Sequence, residues 1–245
     1  MENRGYPHFA WRTGACRLPA LAAAGVGLLT FGLGGTAHAQ VYWTDWISGT
    51  AGPSGSATGT LNVNGTEITV TYQGEIQFLQ TNGGTNYWNP SAPYISATVP
   101  VAPPASDIIA LSRATTKTIT FSQAVTNPIF AVVSLNGNGY RFDRDFEVLS
   151  YGAGYWGNGT LTREALNGGL FQLNGTGEGH GVIQFKGTFT SITWDSLTAE
   201  TWNGFTIGVA GVANTVPEVG TGALVASGGV GLLGLVSLRR RRRSA

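Results

Sequence analysis

The chain predicts an all-β protein, a single antiparallel β-sandwich carried between two apolar end segments, and three features of its middle region carry that prediction. The first is alternation: in Thr66-Glu67-Ile68-Thr69-Val70-Thr71-Tyr72 every second side chain falls on the same face of an extended strand. The second is the recurrence of Asn-Gly pairs, which take positive φ readily and so close hairpins, at Asn64-Gly65, Asn136-Gly137, Asn158-Gly159, Asn167-Gly168 and Asn174-Gly175. The third is that no stretch of the middle repeats apolar residues at three-and-four spacing for more than a turn, which leaves few helices and excludes a parallel α/β fold.

Further short runs lie at 59–63, 75–80, 118–121, 129–134, 140–149, 169–173, 181–185, 191–194 and 204–209. About ten short strands at this spacing imply a sandwich. The segment 89–106 holds Pro90, Pro93, Pro100, Pro103 and Pro104, and proline has no amide to donate, so it reads as a long surface crossing and not as a central strand.

Both ends fall outside this domain. Arg4, Arg12 and Arg17 precede an uncharged apolar stretch over 18–33, followed by Ala37-His38-Ala39. Small residues at these two positions suit a signal peptidase, so cleavage is expected between Ala39 and Gln40, with an uncleaved signal anchor as the alternative. At the other end, 220–238 is a run of nineteen residues without a charge, close to the ~20 that cross a bilayer core as a transmembrane helix. Five arginines follow at 239–243, and the positive-inside bias keeps them in the cytoplasm. The expected organisation is a signal peptide over 1–39, an exported β-sandwich over 40–214 and a tail over 215–245.

Composition narrows the function. Between Gln40 and Asn214 stand six basic side chains against eleven acidic ones, a net charge of −5, which argues against nucleic acid as a partner. Cys16 is the only cysteine and lies in the signal peptide, so the exported domain has no disulfide, cysteine nucleophile or cysteine-bound metal. His180 is its only histidine, which excludes a multi-histidine zinc site. His180 reads as a turn residue in Gly177-Glu178-Gly179-His180-Gly181, and no Gly-x-Ser-x-Gly elbow stands before a helix.

Val216-Pro217-Glu218-Val219 immediately precedes the apolar span. The order of tripeptide, apolar span and terminal arginines resembles the PEP-CTERM sorting signal. That resemblance covers about the last thirty residues and matches Val216, Pro217 and Glu218, with Val219 where the family has a second proline. It implies an exosortase-type enzyme as a partner, transient anchoring in the inner membrane with the domain outside, and release to the envelope or the medium. An ordinary single-span anchor is the alternative. The middle is similar to ectodomains that accompany such tails, through Thr126-Asn127-Pro128-Ile129-Phe130-Ala131-Val132-Val133-Ser134-Leu135, Gly154-Tyr155-Trp156-Gly157 and Gly179-His180-Gly181-Val182-Ile183-Gln184-Phe185. This likeness implies a jelly-roll-like sandwich and brings no catalytic residues with it.

Two groups of side chains are candidates for chemistry. Among Trp43, Trp46, Tyr87, Trp88, Tyr94, Tyr155, Trp156, Trp194 and Trp202, the pairs Tyr87-Trp88 and Tyr155-Trp156 lie in expected loops. There a flat ring can cover the apolar face of a pyranose. Trp194, in an alternating strand, reads as core. Asp143, Asp145 and Glu147 alternate within the run 140–149, which places them on one strand face about 6.6–7 Å apart with Phe142 and Phe146 turned inward. They form a weak candidate calcium site beside the reading of a solvated face. Glu164, Glu178, Asp195 and Glu200 are the carboxylates available for a glycosidase pair. The expectation is a non-enzymatic exported envelope or matrix protein, without a cofactor, that binds exopolysaccharide. The alternative is a secreted glycan-active hydrolase.

Overall fold

The computed structural model describes residues 40–212. The expected signal peptide with Ala37 and Ala39, the 216–218 motif, the apolar span and the arginine run lie outside the described residues. Among those described, no helix is long and apolar enough to cross a membrane.

The described chain is almost entirely antiparallel β-structure, with two 3-10 turns, Ala92–Tyr94 and Asn167–Gly169. The strands are β1 (Tyr42–Trp43), β2 (Asp45–Thr50), β3 (Gly52–Val63), β4 (Thr66–Ile76), β5 (Phe78–Gln80), β6 (Ile108–Leu111) and β7 (Thr116–Leu135). They continue as β8 (Gly139–Phe142), β9 (Phe146–Gly152), β10 (Gly159–Ala165), β11 (Phe171–Gly177), β12 (Gly179–Phe185), β13 (Thr188–Ser196) and β14 (Asn203–Val212).

β7 organises the molecule, because its two halves belong to two different sheets. Its first half lies between β4 and β13 in the order β2-β3-β4-β7-β13-β8-β11-β10. Its second half lies between β14 and β12 in the order β5-β6-β14-β7-β12-β9. The changeover falls where the ladders slip: pairing with β13 jumps from Val125 to Thr120, and Asn127 takes a positive φ of 50° opposite β14. Extra residues of this kind bend a strand and let it pass from one sheet to the next. Asn127 Oδ1 accepts from Gly187 N–H at 2.8 Å, which fixes the bend.

The sheets pack face to face, giving a sandwich-like fold. Phe130 of β7 stacks on Phe205 of β14 with centroids 4.9 Å apart, and both meet Trp194 of β13 edge-on at 5.2 Å. Tyr72 of β4 and Tyr140 of β8 close the same aromatic layer, with Tyr72 at 5.5 Å from Phe205 and Tyr140 at 6.0 Å from Phe130. The outer face of the β4–β13 sheet is a row of hydroxyls, with Thr58, Thr71, Thr120 and Ser191 in register across four strands. Few charges suffice on such a surface.

The second sheet is covered on both faces. Behind it the chain between β5 and β6 lays Trp88, Tyr94 and Val99 onto Ile108, Ile129, Ala131, Val133 and Val182. This is the proline-rich crossing expected at 89–106, and it forms a second small core. Burial on both faces explains why 129–135 is a continuous buried run, where a half-buried strand would alternate.

Two sequence expectations are corrected here. The run 140–149 is two strands, broken at 143–145, so Asp143, Asp145 and Glu147 do not share one strand face. Asp145 instead pairs with Arg163 at 2.6 Å and Glu147 with Lys186 at 3.1 Å, while Phe142 and Phe146 are buried as expected. No group of three or more metal-ligating side chains occurs among the described residues. The Asn174-Gly175 pair is not a turn; it lies inside β11, where a Cβ on Gly175 would stand 2.1 Å from the Leu135 carbonyl oxygen. Close backbone approach is the reason for that glycine.

A candidate carbohydrate groove

Four connections meet at one end of the sandwich: 136–138 between β7 and β8, 153–158 between β9 and β10, Glu178 between β11 and β12, and 197–202 between β13 and β14. Antiparallel strands that end together bring their loops together, so residues far apart in sequence form one surface. A groove of about 510 Å³ opens there, with Trp156 and Trp202 on its walls beside Ser134, Asn136, Glu178 and Glu200.

The two wall indoles belong to a closed cycle of four rings. Tyr87 meets Tyr155 at 5.1 Å, Tyr155 meets Trp156 at 5.0 Å, Trp156 meets Trp202 at 6.1 Å, and Trp202 returns to Tyr87 at 5.0 Å, every contact edge-to-face. Such contacts each add about 0.5–1.5 kcal/mol beyond burial. The rings therefore hold one another in place while Tyr155 and Trp156 stay exposed, at 42% and 51%. Phe78 supports the cycle from below through Trp202 at 5.3 Å.

The polar side of the groove is built on neutral donors. Asn136 joins both carboxylates, donating from Nδ2 to Glu178 Oε1 at 2.8 Å and from its backbone N–H to Glu200 Oε2 at 3.1 Å. Ser134 Oγ donates to Glu178 Oε2. Asn138 Nδ2 donates to Glu200 Oε1 at 2.9 Å, and Asn203 Nδ2 donates to the same oxygen. Asn203 is itself oriented by the buried Tyr140 hydroxyl. Partial burial raises the Glu200 carboxyl above the ordinary range; its amide donors oppose that shift and the Glu178 charge adds to it.

Beneath the groove lies His180. It is fully buried on β12, which corrects its reading as a turn residue. Its Nδ1 accepts from Ser134 N–H at 3.3 Å and from the Tyr94 hydroxyl at 3.0 Å, which places the ring proton on Nε2. Burial pushes its pKa down to about 4 against an opposing pull from Glu178, so the ring is neutral at physiological pH. Ser134 takes a positive φ of 56° to point its N–H at this ring and its Oγ at Glu178. Gly154 lies flat against the imidazole, in the loop that carries Tyr155 and Trp156.

Comparison with family models, curated proteins and solved structures returned nothing.

Of the residues expected from sequence to touch a glycan, Tyr87, Tyr155 and Trp156 belong to the aromatic cycle, with Tyr87 half-buried. Trp88 is a correction. It is 2% exposed, packs edge-on to Tyr94 at 5.1 Å and donates its indole N–H to the Asp107 carbonyl at 3.2 Å, so its face is closed to any ligand. Trp202, which sequence reasoning did not single out for binding, stands beside Trp156 on the groove wall. Of the four carboxylates available for a glycosidase pair, Glu178 and Glu200 enter the groove, whereas Asp195 pairs with Arg141 at 2.9 Å and Glu164 accepts from Asn174. Ser134 and Asn136 were not singled out in the sequence; the Asn136-Gly137 turn signal marked their loop without marking their role.

Proposed function

We propose that the chain is a non-enzymatic envelope or extracellular-matrix protein, exported by its signal peptide and processed through a PEP-CTERM-like tail, whose β domain binds exopolysaccharide. In this reading Val216, Pro217 and Glu218 meet an exosortase-type enzyme, residues 220–238 form a transmembrane helix that pauses in the membrane, and the two-sheet domain is a jelly-roll-like carrier for the groove. The observation that carries the binding assignment is the exposed Trp156 and half-buried Trp202, braced by each other and by Tyr155, standing in the groove beside carboxylate and amide groups. A pyranose presents an apolar C–H face and a rim of hydroxyls, and this wall offers a partner to each.

The alternative, a glycan-active hydrolase, is favoured by one observation: two carboxylates share the groove and one of them has a raised pKa. An oligosaccharide array probed with the exported chain, its Trp156→Ala variant and its Glu200→Gln variant separates the readings. Retention on polysaccharide that weakens in Trp156→Ala, without release of reducing ends, is the expected result. Reducing ends released by the native chain and lost in Glu200→Gln would replace the binding assignment with hydrolysis.

A further inference from the structure

We infer that the groove recognises a cationic glycan, a polysaccharide bearing free hexosamine ammonium groups, in preference to a neutral or N-acetylated one. The inference rests on the glycan-binding reading above and specifies its ligand class. Its basis is charge. Among the described residues, Glu178 and Glu200 receive hydrogen bonds only from Ser134, Asn136, Asn138 and Asn203, all neutral, and no lysine or arginine pairs with either. The ion pairs that the domain does form lie elsewhere, on Asp145, Glu147 and Asp195. Two carboxylates held by one asparagine beside an indole wall repel each other, and among the described residues neither has a counter-charge.

Acceptor capacity remains for one. A carboxylate accepts about four hydrogen bonds, whereas Glu178 takes two and Glu200 three. The neighbouring rings of Trp156 and Trp202 add cation–π attraction. An ammonium group attached to a sugar ring matches both features at once, its charge against the carboxylates and its pyranose face against the indoles.

A calcium ion matches less well. Calcium takes six to eight oxygen ligands, and two amide oxygens nearby are already engaged: Asn138 Oδ1 accepts from Gly139 and Thr198 N–H, and Asn203 Oδ1 from Tyr140. The buried amides are turned to donate toward the carboxylates, which stabilises negative charge and leaves the positive charge to the ligand.

The test is calorimetric titration of the full chain, in a detergent without sugar headgroups, at mildly acidic pH and low salt. The probes are the β-1,4-linked glucosamine hexamer, its fully N-acetylated counterpart, cellohexaose and calcium chloride. The glucosamine hexamer is expected to bind about tenfold or more tighter than the N-acetylated one, in keeping with a charge-assisted contact. Added salt weakens only that preference. Glu178→Gln and Glu200→Gln, which preserve shape, bring the affinities for the two hexosamine oligomers together. Equal affinity for the two hexosamine oligomers in the native chain overturns the inference while leaving the glycan reading intact. Calcium that binds and displaces the sugar also overturns it. Failure of all three oligosaccharides to bind overturns both.

Discussion

Gly154 tests whether the groove stands on the buried histidine beneath it. Gly154 does not adopt a positive φ, so an alanine there meets no backbone penalty of that kind. It meets His180 instead: a Cβ would lie 2.3 Å from Cγ, 2.5 Å from Nδ1 and 2.6 Å from Cδ2, where ordinary contact begins near 3.4 Å. His180 is fully buried and hydrogen-bonded, so it cannot retreat, and the 153–158 loop must lift. Overpacking of this kind costs about 1–3 kcal/mol, and for a domain of this size each kcal/mol lowers Tm by roughly 2–4 °C. The lift carries Tyr155 and Trp156 out of the aromatic cycle, so glycan affinity falls with stability. Thermal unfolding followed by circular dichroism, paired with a glycan titration, measures both. Gly65→Ala is the comparison: Gly65 has φ 84° with nothing within 4 Å, so its cost, about 1–2 kcal/mol, is purely conformational and leaves binding untouched. Adding His180→Ala removes the obstruction, and the double-mutant cycle should show at least about 1 kcal/mol of coupling with Gly154→Ala and none with Gly65→Ala. Unchanged Tm and affinity in Gly154→Ala, or additivity in that cycle, would refute the reasoning.

Two further outcomes follow from burial. Trp88→Ala should cost about 3–5 kcal/mol in denaturant unfolding because it empties the second core, whereas Trp156→Ala should alter stability far less and weaken glycan retention; the reverse pattern would return Trp88 to the binding surface. His180, ordinarily near 6.5, titrates near 4 in the folded state, so the unfolded chain takes up its proton first as pH falls. Its stabilisation is complete above about pH 6.5 and about 3 kcal/mol of it is lost by pH 4. Asp107, raised to about 6 by burial, works in the opposite direction, so the His180 contribution is read as the difference between native and His180→Asn unfolding curves. A His180 imidazole proton resonance that titrates near the ordinary value would contradict the burial.

The fold was legible wherever one face of a strand met water. Alternation marks 66–72 because Ile68, Val70 and Tyr72 point inward while Thr69 and Thr71 point outward, and Asn64 and Gly65 supply the two positive φ values that the β3–β4 hairpin requires. Legibility failed where burial was two-sided or long-range. β6 reads only as Ile-Ile-Ala-Leu because the crossing covers its second face, and β7 reads as two strands because it passes between sheets. The Tyr155-Trp156 pair was visible as two rings beside glycines in a loop. Its partnership with Trp202, Glu178 and Glu200 was not, since it depends on four connections arriving at one end of the sandwich. Trp88 misled for the same reason: neighbouring Asn and Pro signal a loop correctly, but not that the loop folds down over a sheet.

The account turns on where a sugar touches the protein. Backbone and indole N–H resonances recorded while the glucosamine hexamer is titrated into the isotope-labelled chain report this directly. The account predicts shifts at the Trp156 and Trp202 indoles and at the Asn136 amide, with the Trp88 indole and the threonine face of β3, β4, β7 and β13 unmoved. Shifts confined to that threonine face, or none at saturating oligosaccharide, would contradict it.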